Sequence, residues 1–226
     1  MEEPKKVKFG FLLLGAILVA ATALLFFGWL AEEVLEADTE RFDTLVRTVI
    51  HRFTSPPITS VMEVVSLLGS VGVLVLLSLL AVSLFYYFHR PRAATLLAIT
   101  MTGVAALDPV LKHAFHRVRP LAFFGSSPSS YSFPSGHALG SLCFYGALAA
   151  ILSARTASRR ARSCIWTIAV VLVGMIGFSR VYLGVHYPSD VIAGYCAAIV
   201  WVGAVGFLDR ILRRQPSQKT ERLAST

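Results

Sequence analysis

Six long apolar runs separated by short polar stretches dominate the pattern of this 226-residue chain. A helix needs about 20 mostly apolar residues to cross a bilayer. Residues 9–31 are the first such run, with Lys5, Lys6 and Lys8 just before it. A cleaved signal peptide is the competing reading, but the run is too long for its apolar segment and no clear small-residue cleavage site follows. Residues 58–88, 93–116, 137–153, 164–183 and 188–210 predict five further spans, the fourth span (137–153) being short. Residues 32–55 have another rhythm. Phe42, Leu45, Val46, Val49, Ile50 and Phe53 recur at helical spacing with charges between them. That pattern predicts an amphipathic helix over about 36–54, lying in the membrane interface, and Pro56-Pro57 ends it. The expected architecture is therefore all-α. One six-span membrane domain covers 1–210, and a polar cytoplasmic tail covers 211–226.

Composition agrees with a membrane chain: 55% of residues are hydrophobic and 15% are charged, against roughly 25% charged in soluble domains. A net charge of +8 raises nucleic acid as a partner, but the distribution argues against it. Fourteen of the 21 Lys and Arg lie at the N-terminus, in 89–92, in 154–163 and from Arg210 onward. The remaining seven are Arg41, Arg47, Arg52, Lys112, Arg117, Arg119 and Arg180, on the opposite side. The positive-inside rule then places both termini in the cytoplasm, and the basic segments face anionic lipid. The expected partner is the bilayer, without nucleic acid; oligomeric state has no sequence signature here. Cys143, Cys164 and Cys196 lack C-x-x-C spacing and read as small buried hydrophobes.

Ionic side chains at membrane depth cost on the order of 2.5–3.5 kcal/mol each, yet three stretches near span ends concentrate them. In 112–120 Lys112 and Arg119 lie seven residues apart, two helical turns, which predicts a shared face. A phosphomonoester carries about −1.5 to −2 charges, and these two cations with Arg180 suit it, arginine by its planar fork. Pro134-Ser135-Gly136-His137 opens the fourth span. Serine favours the N-cap, and the free N–H groups of a helix start attract anions. In 179–190 His186 and Asp190 are one turn apart, so the carboxylate can fix the ring tautomer and leave the other nitrogen nucleophilic. A metal site of His116, His137, His186 and Asp190 is the alternative, disfavoured by the neighbouring cations. Asp108, one turn before Lys112, is expected to pair with it, either fixing its aim or as a plain structural ion pair. Glu63, in the outer third of the second span, is expected at the site mouth.

Together these stretches resemble the type 2 phosphatidic acid phosphatase family, matching K-x6-R-P, P-S-G-H and S-R-x5-H-x3-D at every defined position. The resemblance implies a six-helix membrane bundle, with an outward-facing active site that uses no cofactor or metal. It further implies that His186 attacks phosphorus, Asp190 orients it and His137 protonates the leaving oxygen. Lys112, Arg119, Arg180, Ser135 and the Gly136 N–H would hold the phosphoryl oxygens. The small bacterial plasma-membrane members act on lipid phosphates. By that analogy the expected reaction is phosphatidylglycerophosphate to phosphatidylglycerol, with undecaprenyl pyrophosphate as the second choice. A transporter and a haloperoxidase-like site are the competing classes. Neither inverted repeats nor paired broken helices of transporters are visible, and six spans sit poorly with a haloperoxidase.

Overall fold

The structure, a computed structural model, describes residues 3–125 and 129–214, with side chains from 14 to 213. Eight helices and no strand are present among the described residues: α1 Glu3–Leu35, α2 Glu40–His51, α3 Pro56–Leu67, α4 Val71–Tyr87, α5 Pro91–Phe115, α6 Gly136–Ser153, α7 Arg159–Tyr182 and α8 Pro188–Arg214. Helix starts follow local chemistry. Proline opens α3 and α5, where its missing N–H costs nothing. The hydroxyls of Ser70, Ser135 and Ser158 cap α4, α6 and α7 by accepting from the N–H three residues on.

Five helices (α1, α5, α6, α7 and α8) are individually long and apolar enough to cross a membrane; α3 and α4 pass that test only as a pair, bent by 47°. In place of the one continuous helix expected over 58–88 there are thus two, arranged as a broken span or a re-entrant loop. The break falls at Gly69-Ser70, where Ser70 caps a new helix and Gly69 packs against Ile176 and the His137 ring. Helix α5 also ends earlier than the seven-residue spacing predicted. His116 takes a left-handed conformation (φ +48°) as its C-cap, so Arg119 lies on the following loop and shares no helix face with Lys112. Helices α1 and α8 run past the expected span ends. The lysine side chains at 5, 6 and 8 and the tail beyond residue 214 lie outside what is described.

Outward surfaces are apolar: Leu25 is 76% exposed and Val71 73%, as expected where lipid replaces water. The interior is built from small residues, including Ala94, Ala138, Ala193 and Ala198, which lets helix backbones approach closely. Gly194 of α8 is one such contact: a Cβ there would sit 2.6 Å from the Ser135 carbonyl oxygen. Cys143 is buried and Cys196 half-buried, but Cys164 is exposed on α7; its apolar run faces outward there, contrary to expectation. Helix α8 packs on α1 and α6, α6 on α7, and α3 on α7, while α2 touches α7 and α8.

Phe42, Leu45 and Val49 form the exposed stripe of α2, with Phe53 exposed just beyond it, whereas Asp43 is completely buried. The inward edge mixes Asp43 and Arg47 with Val46 and Ile50, and Ile50 packs against the cluster of Met62, Tyr182, Leu183 and Val185.

Candidate active site

Three backbone segments converge at one end of the bundle. The 116–125 loop leaves α5, the 129–135 loop enters α6, and the 183–187 turn joins α7 to α8. Backbone bonds stitch them together: Ser132 N–H donates to the Arg117 carbonyl (2.8 Å), Phe123 N–H to Leu183 (3.1 Å) and Ser135 N–H to Asp190 (2.9 Å). Phe133, fully buried between Phe27 of α1 and Phe115 of α5, anchors the second loop. The turn after α7 depends on Gly184. Its φ of +77° is strained for any side chain, and a Cβ would fall 2.5 Å from the Phe123 nitrogen.

His186 is 1% exposed, with Nδ1 3.2 Å from Asp190 Oδ2 and Nε2 2.8 Å from Arg119 Nη1. A guanidinium only donates, so Nε2 must be the unprotonated nitrogen and Nδ1 carries the proton toward Asp190. Two neighbours therefore select the same tautomer. Burial pushes the His186 pKa down to about 4, against the upward pull of Asp190 and with the help of Arg119 and Arg180. The ring is neutral and nucleophilic at neutral pH.

Asp190, itself fully buried, accepts further bonds from Tyr187 N–H (2.9 Å), the Ser132 hydroxyl and Arg117 Nη1 (2.7 Å). Arg117 extends the network. Its Nη2 donates to Asp43 Oδ2 (2.7 Å) and Thr39 (3.1 Å). Asp43 also accepts from Ser189 N–H (3.0 Å) and the Ser189 hydroxyl (2.6 Å). One turn along α2, Arg47 donates to the Leu121 carbonyl (2.8 Å) and the Gly184 carbonyl (3.2 Å). The guanidiniums of Arg117 and Arg47 lie 4.2 and 5.3 Å from the Tyr187 ring centroid. Helix α2 thus clamps in place the segments that carry His186 and Asp190.

Each expected anion-holding residue can now be placed. Lys112 pairs with Asp108 at 2.7 Å, across one turn of α5. The other oxygen of Asp108 is buried without a hydrogen bond. It abuts Gly136, where a Cβ would lie 2.6 Å away. Arg119 uses its whole fork, on Ser130, the Val185 carbonyl and His186. Arg180 donates to the Ser66 hydroxyl at 2.5 Å, and its Nε is buried without a partner. His137, second residue of α6, lies within electrostatic reach of Arg180, His186, Lys112 and Arg119. Ser135 is fully buried as the α6 cap.

Two residues stand apart. Glu63 is exposed on α3 and makes no hydrogen bond or ion pair among the described residues, so the structure does not join it to the cluster. His116 stacks edge-on with Tyr131 at 4.7 Å. Among the described residues no three His, Cys, Asp or Glu are grouped to hold a metal ion. Sequence reasoning missed Asp43, Arg117, Ser132 and Ser66. Arg117 sits inside the first motif, but nothing in the chain marks residue 43 as its partner.

The charges sort into two sets. Arg117 is neutralised by Asp43 and Asp190, and Lys112 by Asp108. Arg119 and Arg180 have no carboxylate partner among the described residues. Two unneutralised guanidiniums beside a neutral histidine suit a doubly charged phosphoryl group.

Comparison with known proteins agrees. The model of the PAP2 superfamily matches residues 64–207. Phosphatidylglycerophosphatase B of Bacillus subtilis is 27% identical over 191 residues, covering 84% of this chain and 94% of that protein. Undecaprenyl-diphosphatase of Sulfolobus acidocaldarius is 32% identical over 120 residues, covering 50% of this chain and 54% of that one. The crystal structure of a transmembrane PAP2-type phosphatidylglycerolphosphate phosphatase from Bacillus subtilis has a TM-score of 0.79 at 26% identity, covering 87% of this chain and 98% of the other. The matched region begins within α3, ends within α8 and contains both histidines and all the cations that face them; the chain belongs to the PAP2 superfamily of phosphatases.

Proposed function

We propose that this protein is an integral membrane phosphatase that hydrolyses a lipid phosphomonoester through a phosphohistidine. The observation that carries the reading is the His186 Nε2 lone pair, held between Asp190 behind and the Arg119 fork in front. In the first step Nε2 bonds to phosphorus as the bond to the lipid oxygen breaks, and His137 gives its proton to that oxygen. In the second, water attacks phosphorus, His137 takes a proton from it and the N–P bond breaks to release phosphate. Phosphoryl transfer needs positioning and charge stabilisation more than covalent ingenuity. Arg119 and Arg180 supply the two positive charges, Lys112 and the α6 N-terminus with Ser135 and Gly136 the remaining donors. Arg119 exchanges its loop contacts for phosphoryl oxygens as substrate enters. These groups fill the place of a metal ion, and the reaction proceeds without one.

The favoured substrate is phosphatidylglycerophosphate, on the strength of the Bacillus subtilis relative's coverage of nearly the whole chain. Undecaprenyl pyrophosphate ranks second, by likeness to a relative covering half of the chain. In the bilayer we read the bent α3–α4 pair as one span, giving six with α1, α5, α6, α7 and α8. Helix α2 then lies in the interface with Phe42, Leu45, Val49 and Phe53 toward lipid. Lys/Arg asymmetry supports cytoplasmic termini and an outward-facing site.

The test is phosphate release by purified wild type and His186→Ala, with and without EDTA, on phosphatidylglycerophosphate, undecaprenyl pyrophosphate and phosphatidate. Chelator-resistant release that the substitution abolishes is expected, fastest on the first lipid. Full activity in His186→Ala, or none from wild type on any lipid, overturns the proposal.

A further inference from the structure

At the other end of the bundle, two cavities meet that the reaction does not use. Pro91 and Lys112 are 21 positions apart on α5, so this end lies about 30 Å from the catalytic residues. One cavity is an apolar groove of about 670 Å³ between α4 and α6. Leu77, Leu80, Leu84, Phe144 and Leu148 line it, and Arg90 and Arg155 close its end. The second cavity, about 820 Å³, opens between the ends of α5, α6 and α8 and is lined by the same Arg90 and Arg155 with His89, Arg92, Arg210 and Arg213.

This bowl holds five arginines and one carboxylate, Asp209. Asp209 is committed to Arg92, with Arg213 3.8 Å away. Arg90, Arg155 and Arg210 have no carboxylate partner among the described residues. The Arg155 guanidinium lies 5.5 Å from the Phe85 ring centroid, over the floor of the groove. Its position is thereby set by an aromatic platform, with its charge left for another anion.

We propose that the two cavities form one binding site for an anionic glycerophospholipid. The phosphate sits on Arg90 and Arg155 at the shared edge, an acyl chain lies along the α4–α6 groove, and the rest of the headgroup enters the basic bowl. A soluble anion would use the bowl alone. The continuity of an apolar groove with a cationic end is what selects a lipid.

The probe is phosphatidylserine, which is neither the proposed substrate nor its product, with phosphatidylcholine and inorganic phosphate as comparisons. Binding is read by native mass spectrometry and by the rise in Tm of the full chain in detergent. Arg90→Gln/Arg155→Gln is expected to weaken phosphatidylserine binding about thirtyfold, the worth of two cations at an anionic headgroup. Leu80→Trp, at an exposed groove position, is expected to weaken it without altering charge. Arg159→Gln/Arg160→Gln, near the same bundle end but outside both cavities, removes equal charge and should leave binding within twofold. Equal loss in the two arginine pairs would reduce the effect to general surface charge and overturn the site. Binding of phosphatidylcholine as tight as that of phosphatidylserine, full competition by phosphate alone, or an unaffected Leu80→Trp would overturn it too.

Discussion

Asp43 lies 143 positions before His186, yet its carboxylate is completely buried and accepts three bonds, one from Arg117 and two from Ser189. Arg117 in turn bridges Asp43 and Asp190. Asp43→Ala leaves a largely buried guanidinium with one carboxylate in place of two. Breaking such a pair costs about 3–5 kcal/mol, enough to lower Tm clearly. Asp43→Asn is the sharper probe because shape and one acceptor survive. At the Arg117 bond it exchanges a charge-assisted interaction, worth about 1.5–3 kcal/mol, for a neutral one near 1, a loss of about 0.5–2 kcal/mol there. With the Asp43 charge gone, Arg117 draws harder on Asp190 Oδ1 and loosens the hold of Asp190 on His186. The expected result is a kcat reduced about 5–30-fold, each factor of ten being about 1.4 kcal/mol, with KM nearly unchanged. The assay is steady-state hydrolysis of a short-chain lipid phosphate in detergent, well below the variant's Tm. An Asn variant with wild-type kcat would refute the reasoning. A lowered Tm with full kcat would make α2 a structural brace and nothing more.

Other perturbations separate the remaining roles. Asp190→Asn should cost about 10⁴ in kcat, as expected when a buried histidine loses the carboxylate that sets its tautomer; a loss under tenfold would show Arg119 alone suffices. His186 holds a folded-state pKa near 4, below its unfolded value of about 6.5. Its contribution to stability is therefore complete above pH 6.5 and lost as pH falls toward 4, by about 3 kcal/mol in all. Tm measured across that window should fall more steeply for wild type than for His186→Gln, and parallel curves would contradict the assignment. Gly184→Ala should destabilise by at least about 1 kcal/mol, because φ is +77° and Phe123 occupies the space; an unchanged Tm would show that the turn can relax. Glu63→Gln, at an exposed position without partners, should leave kcat/KM within about twofold; a larger fall would restore it to the site mouth.

What could be read from the chain was local. Apolar runs long enough for a bilayer, the Ser135 cap and the His186–Asp190 interval all rest on neighbours close along the chain. Those interactions recur in the structure because backbone geometry fixes neighbours that close. The same reasoning failed where a local rule met a tertiary one. The seven residues from Lys112 to Arg119 have a helical interval, but His116 turns the chain out of α5. The run over 58–88 is continuous in hydropathy, but packing at Gly69 and the Ser70 cap break it. The periodicity of α2 was visible; that Asp43 on it would be completely buried was not. The partners of Arg117, 74 residues away on α2 and 73 away on α8, leave no spacing to read. A buried cation must find a carboxylate, but only the packed helices determine which one. Sequence alone therefore determined the class of chemistry and most of the groups gathered at the candidate site. The tertiary structure decided that Arg117 and Lys112 are neutralised while Arg119 and Arg180 have no carboxylate partner among the described residues. Burial makes charge neutralisation obligatory, and which charges meet is settled by contacts between residues far apart in the chain.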